Sequence, residues 1–209
     1  MAGELLLNNV AAPSTPAAGK IALTANTDKY IHTKNESGHD AIQLQSFFAS
    51  NVADFTLANS ASAQSPFAAA NDVVTLPSST TYWFHLLVQI TGMGGTTRTT
   101  ALEFDAGTAT LTSISYLAEI VTGAAQGIAS ASGTKHCITA AANILNATVA
   151  TAAATIRAHG LVRINAGGTF IPQIKFSADP TGTIISEQDS HFILIPFGSN
   201  TVASVGSWA

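Results

Sequence analysis

The chain has 209 residues, enough for a small amino-terminal module followed by a medium-sized domain. Only 10% of its residues are charged, against about 25% in a typical soluble domain, and Ser, Thr, Asn, Gly and Ala fill the deficit. This composition argues against a helix bundle, which needs many Glu and Lys on its exposed faces, and favours extended surfaces packed on neighbours.

The charge balance and the single cysteine limit the choice of partner and compartment. A net charge of −4 with scattered basic residues argues against nucleic-acid binding, which needs a clustered basic stripe. Because Cys137 is alone, no intrachain disulfide can form, which fits synthesis in a reducing cytoplasm. Residues 1–10 hold an apolar triplet but no run long enough for a signal peptide or a membrane span, so we expect no membrane insertion.

The first 79 residues are expected to form an attachment module and a connecting arm. Residues 1–45 contain short strand-like pieces between strong breakers, which is typical of a small β-hairpin module. Two-stranded ribbons are marginal in water, so this module needs a partner. Residues 46–79 are Ala- and Ser-rich yet carry several Phe residues, which predicts ordered arm segments packed along a neighbouring subunit.

From Thr80 onward the side chains alternate between two faces with the period of a β-strand. Tyr82 and Phe84 share one face, whereas Trp83, His85 and Leu87 share the other. A strand that is apolar on both faces is usually buried on both, so we expect these last three residues to form a subunit interface. A ligand site on the same residues is the alternative.

Residues 80–209 are predicted to form an all-β sandwich of the jelly-roll kind, with about eight strands. In segment 138–154, alanine triplets favour helix while Thr148 and Val149 favour strand, so we allow a short helical turn there. Pro172 predicts an edge strand or a bulge. In chain order we predict strands at 80–91, 97–105, 108–121, 156–164, 169–178 and 191–197, with hairpin turns at 92–95 and 165–168.

The histidines and the cysteine carry no recognisable catalytic or metal motif. His136 beside Cys137 suggests a nucleophile pair, but adjacent residues on a strand point to opposite faces. The six histidines form neither His-x-His nor His-x-x-x-His, although three copies of one histidine could meet on a trimer axis and bind a metal without any local motif. We expect no catalytic residue, no cofactor and no metal in a single chain.

Two charged pairs share a face at i, i+2 spacing. These are Glu103 with Asp105 and Arg157 with His159. A paired-carboxylate or acid–base site would need such proximity, but alternating outer-face residues reach it in any strand. Because no third residue completes either set, we interpret both pairs as ordinary strand residues.

Two stretches of the larger domain resemble the carboxy-terminal domain of tailed-bacteriophage accessory virion proteins. They are residues 162–173 (VRINAGGTFIPQ) with 176–178 (FSA), and the ending at 195–206 (IPFGSNTVASVG). Residues 13–21 (PSTPAAGKI) and 29–34 (KYIHTK) are similar to the attachment modules of the same proteins. The resemblance implies a homotrimeric jelly roll with a structural role.

The expected function is therefore that of a non-enzymatic virion protein, made in the host bacterial cytoplasm and displayed on the particle. The leading hypothesis is a homotrimeric head fibre or decoration protein, whose residues 1–45 bind phage capsid or tail proteins. The alternative is a tail-fibre protein that binds a host surface glycan. A carbohydrate-active tailspike ranks third, because the few acidic residues supply no positioned carboxylate pair.

Overall fold

A computed structural model describes residues 9–10, 17–18, 22–26, 31–34, 40–43, 46–69, 72–104, 107–123 and 131–204. The chain divides into two compact units, Met1–Gln45 and Ser46–Ala209. Within the described ranges the regular structure consists of β-strands, and no helix is present. The all-β class predicted from the composition is confirmed.

The smaller unit contains a four-stranded sheet. Its strands are β1 (Asn9–Val10), β2 (Ala22–Asn26), β3 (Ile31–Lys34) and β4 (Asp40–Gln43), and they lie side by side in chain order. Strand β1 is parallel to β2, while β2–β3 and β3–β4 are antiparallel.

The larger unit is built on an eight-stranded sheet, here called the central sheet. It contains β5 (Phe47–Ser50), β6 (Phe55–Thr56), β8 (Thr80–Met93), β10 (Thr110–Gly123), β11 (Ala131–Cys137), β13 (Ala153–Ala166), β16 (Gly182–Ser186) and β17 (His191–Ser199). The order is β11-β10-β13-β8, and both β17 and β16 then pair with β8. Strand β5 pairs with β17, and β6 pairs with β16.

Two smaller sheets complete the larger unit. The first has the order β12 (Ala141–Val149), β9 (Arg98–Glu103) and β15 (Gln173–Phe176), and the second pairs β14 (Gly168–Phe170) with β7 (Val74–Leu76). Phe104, which follows β9, joins these layers to the central sheet. Its ring centroid lies 5.2 Å from that of Phe84, 5.4 Å from that of Tyr116 and 5.6 Å from that of Phe170.

The alternation predicted in β8 determines which face of the central sheet covers the core. Tyr82, Phe84 and Leu86 are fully buried, whereas the residues between them are partly exposed. Strands β13 and β10 come close together at Gly160. A Cβ atom added there would lie 2.2 Å from the carbonyl oxygen of Ser115, so only glycine fits this position.

Residues 46–79, expected to pack along a neighbouring subunit, contribute β5, β6 and β7 to the larger unit of their own chain. Leu57, Phe67 and Leu76 are 5%, 1% and 1% exposed and belong to its core. The physical reason is that these short segments form backbone hydrogen bonds with the edges of β17, β16 and β14. Their apolar side chains are at the same time buried in the core.

Three local predictions are wrong. The helical turn allowed in segment 138–154 is absent, because β12 pairs with β9 and β13 begins at Ala153; this pairing outweighs the helix propensity of alanine. The turn at 165–168 joins no hairpin, because β14 pairs with β7 rather than with β13. The turn at 92–95 carries the chain from the central sheet to β9 in another sheet.

The predicted strand at 169–178 is divided in two. Strand β14 ends at Phe170 and β15 begins at Gln173, with Pro172 between them. Proline has no backbone N–H to donate to a ladder, which explains the break. Strand β16 lies in a stretch for which the alternation predicted no strand.

Candidate functional site

The candidate site is the outer face of the central sheet, the side that points away from the core. Trp83, His85 and Leu87 lie on this face of β8 and are half-buried. Strand β8 is an interior strand, with β13 on one side and β17 on the other. The outer face is defined here by Phe48, Trp83, His85, Leu87, Arg157, His159, Leu161, His191, Ile193 and Ile195.

The strand register brings residues that are distant in sequence together on this face. His85 lies directly opposite His159 of β13 on one side and Ile193 of β17 on the other. Trp83 lies opposite Leu161 and Ile195 in the same way. Directly opposed residues of antiparallel strands have Cβ atoms about 5 Å apart, so these side chains form one continuous surface.

Four rings form a ladder across β8, β17 and β5. The centroids of Trp83 and His85 are 6.2 Å apart with planes 15° from parallel, and those of His85 and His191 are 5.4 Å apart. His191 in turn stacks on Phe48 at 6.2 Å. Offset stacking of this kind holds the rings in defined orientations.

Much of this surface is apolar and exposed. Phe48 is 66% exposed, Leu161 40% and Ile195 37%. The exposed side of an antiparallel sheet is normally polar, and a contiguous apolar patch marks an interaction surface. The outer face is therefore suited to contact with another protein surface.

The surroundings of the central imidazole of the outer face disfavour its protonation. Burial lowers the pKa of His85, and repulsion from His191, Arg157 and His159 lowers it further. Arg157 forms an ion pair with Glu119 of β10, with Nη1 and Oε2 3.7 Å apart. His191 donates its Nδ1 proton to the backbone oxygen of Asp189 at 3.0 Å.

The other residues singled out by the sequence are in different places. His136 is exposed, with Nε2 2.9 Å from Ser115 Oγ, whereas the adjacent Cys137 is 2% exposed, so the two point to opposite faces of β11. Glu103 pairs with Lys175 at 3.3 Å, and Asp105 lies outside the described residues.

A hollow of about 190 Å³ lies at the β5 edge of the central sheet, next to residues 72–74. The core residues Phe170 and Leu194 line it, and so do the exposed Phe48 and Val73. Asp72 is the acidic residue among the described lining residues. The sequence contained no signal for this hollow, because the apolar residues of 46–79 have no regular spacing.

Arg98 is a second feature that the sequence did not reveal. It is 1% exposed; Nη1 donates to the carbonyl of Thr96 at 2.6 Å and Nη2 to that of Thr151 at 2.8 Å. The guanidinium lies 5.4 Å from the ring centroid of Phe176, and burial lowers its pKa. These contacts give Arg98 a structural role in joining β9 to the loop before β13.

No protein family matches this chain, and no curated protein or solved structure matches it either. Nowhere in the described ranges does a helix have the length and apolar character of a transmembrane span. Among the same residues, no three His, Cys, Asp or Glu side chains form a group that could hold a metal ion.

Proposed function

We propose that this protein is a non-enzymatic structural component of a bacteriophage particle. In this proposal the larger unit is a jelly-roll domain that assembles as a homotrimer, and residues 1–45 attach it to phage capsid or tail proteins. The trimer serves as a head fibre or decoration protein on the particle surface. The observation that carries the proposal is the apolar, ring-lined outer face of an interior strand of the central sheet.

The dimensions of the outer face suit the centre of a subunit interface. Strands lie about 4.8 Å apart and rise about 3.4 Å per residue, so four strands and five residues along each cover about 300 Å². A stable interface covers about 800 Å² per partner, with an apolar centre and a polar rim. The Arg157–Glu119 pair lies beside the apolar residues, where such a rim belongs.

Charge and sequence likeness support the same assignment. Arg157, the one arginine among the residues that define the outer face, pairs with Glu119 of the neighbouring β10, which offsets its charge where three copies would converge on a three-fold axis. Residues 162–173 and 195–206, which resemble phage accessory virion proteins, lie in or next to β13, β14 and β17. Both stretches belong to the unit that carries the outer face.

A tail-fibre protein that binds a host surface glycan is the second candidate, and the hollow beside β5 favours it. Exposed Phe48 and the Asp72 carboxylate offer the aromatic and polar contacts that sugar rings use. A carbohydrate-active tailspike ranks below both, since glycosidases use two carboxyl groups about 5–10 Å apart. Glycan binding by the wild-type protein that Asp72→Asn abolishes would favour the tail-fibre function.

Self-assembly is tested by light scattering on the full chain after size-exclusion chromatography. We expect the wild type to have three times the mass of one chain at micromolar concentration. Trp83→Asp places a charge in the apolar centre and is expected to yield monomers, whereas Ile138→Asp, at a position 71% exposed beyond β11, is expected to stay trimeric. A monomeric wild type would contradict the proposal.

Position on the particle is tested by the copy number of this chain in purified virions, measured by quantitative mass spectrometry. Hundreds of copies are expected for a head lattice. A handful of copies would instead support the tail-fibre alternative.

A further inference from the structure

We infer that the outer face is an acid-releasable contact between copies of this chain, in which His85, His159 and His191 hold the copies together when neutral and separate them when protonated. The inference rests on the proposed self-assembly and adds a regulatory property to the same surface. The occupant of the face is a second and third copy of the chain. A fall in pH triggers the release.

Three imidazoles meet at the centre of the face. His85 and His159 are directly opposite each other on β8 and β13, and the ring centroid of His191 on β17 lies 5.4 Å from that of His85. Each ring is half-buried within one chain. Further burial by another copy therefore removes water from three adjacent titratable groups at once.

The charged groups around this cluster include two arginines and two glutamates, each engaged by a neighbouring group. Arg157 lies two residues from His159 on the same face, paired with Glu119 at 3.7 Å. Arg163 lies towards one end of β13, where it donates to the backbone oxygen of Asn200, and Glu187 lies at the other end of the face, hydrogen-bonded to Thr91. The facing residues of β5 are uncharged, and β11 presents His136 at the far edge of the sheet.

Protonation would therefore add three positive charges to a face on which Glu119 is already engaged by Arg157 and Glu187 by Thr91, while Asp189 contacts the His191 ring through its backbone oxygen. In an assembly around a three-fold axis, like charges from every copy converge on the same region. At neutral pH the situation is reversed, because neutral imidazoles beside Trp83 and Ile193 form a largely apolar surface. Such a surface can be buried without a charged group being removed from water.

The direction of the pH dependence follows from linkage. Burial and neighbouring positive charges already lower the pKa of His85 from its usual 6.5, and a covering copy adds further burial. The dissociated chain then binds more protons than the assembled one. Association is consequently strongest above about pH 6.5 and weakens as the pH falls below it.

The expected size of the effect is large enough to measure. A further fall of about one unit in the pKa of His85 on assembly weakens association about tenfold per copy once the pH lies below both values. Three copies give up to about 1000-fold for the trimer on the same arithmetic. We expect association to be at least about 100-fold weaker at pH 5.0 than at pH 7.5.

The test is sedimentation velocity of the full chain from pH 7.5 to pH 5.0 at constant ionic strength, with circular dichroism to confirm that the fold persists. The wild type is expected to be trimeric at pH 7.5 and monomeric at pH 5.0. The triple variant His85→Gln, His159→Gln, His191→Gln is expected to remain trimeric at pH 5.0. The control His136→Gln, at the far edge of the sheet, is expected to dissociate like the wild type.

The outcomes separate this inference from the proposed function. A wild type that is monomeric at pH 7.5 overturns both. A wild-type trimer that persists at pH 5.0 overturns only the acid release, as does a triple variant that dissociates at the wild-type pH. If the triple variant fails to assemble at pH 7.5, the single variant His85→Gln is measured instead. A pH midpoint of dissociation equal to that of the wild type would then overturn the inference.

Discussion

Replacing Phe104 with alanine should lower the free energy of unfolding of the larger unit more than replacing an exposed apolar residue with alanine. Phe104 is 1% exposed, and its ring packs on Phe84, Tyr116 and Phe170, which belong to three different strands. Truncating a buried phenylalanine removes its transfer free energy and leaves a cavity, at a cost of about 3–5 kcal/mol. Because the neighbours are held by separate strands, the cavity cannot close by the movement of one of them.

The free energy of unfolding is measured by denaturant titration, followed by circular dichroism at a fixed protein concentration, since assembly also contributes to stability. For a chain of this size, about 3–5 kcal/mol corresponds to a fall in Tm of roughly 6–20 °C. Phe104→Leu keeps most of the volume and is expected to cost less, about 1–2 kcal/mol. It provides a folded variant if the alanine variant does not fold.

The matched control is Ile138→Ala, at a side chain 71% exposed in the turn after β11. Its effect on the free energy of unfolding should stay within about 0.5 kcal/mol. Equal destabilisation by Phe104→Ala and Ile138→Ala would refute the argument that this ring cluster joins the sheets.

Two further changes test backbone approach and buried charge. Gly160→Ala should destabilise the protein by about 1–3 kcal/mol, because its Cβ would overlap the Ser115 carbonyl oxygen. The control Gly95→Ala has open space around the added atom and should be neutral or slightly stabilising. Thermal melts of the two variants measure the difference. Arg98→Ala should cost more than about 2 kcal/mol, since it removes charge-assisted hydrogen bonds to two carbonyls. Lys175→Ala, which breaks an exposed ion pair, should cost less than about 1 kcal/mol in the same denaturant titration; equal losses would contradict the structural role of Arg98.

Features that depend on side-chain direction along one strand were predictable from the sequence. The core side of β8, with Tyr82 and Phe84, follows from period-2 alternation, and so does the separation of buried Cys137 from exposed His136. Alternation is a local consequence of backbone geometry, so it needs no knowledge of the rest of the chain. The same rule placed Trp83, His85 and Leu87 together on one face.

Features that depend on which strand edges meet were not predictable in this way. The turn at 165–168 has the composition of a hairpin, yet β14 pairs with β7 because the edge available to it belongs to residues 74–76. The alanines of segment 138–154 favour helix in isolation, but the ladder with β9 decides their conformation. The burial of Arg98 could not be predicted, because nothing beside it in sequence shows that the carbonyl of Thr151 is its partner.

The outer face shows the same division between local and long-range information. The all-β class and the apolar second face of β8 both follow from the pattern of residues along the chain. That His159 and His191 join His85 there depends on the fold, because positions 74 and 106 residues further along the chain become neighbours through strand register alone. Register depends on long-range pairing of the whole sheet, and that pairing turned three isolated histidines into one cluster.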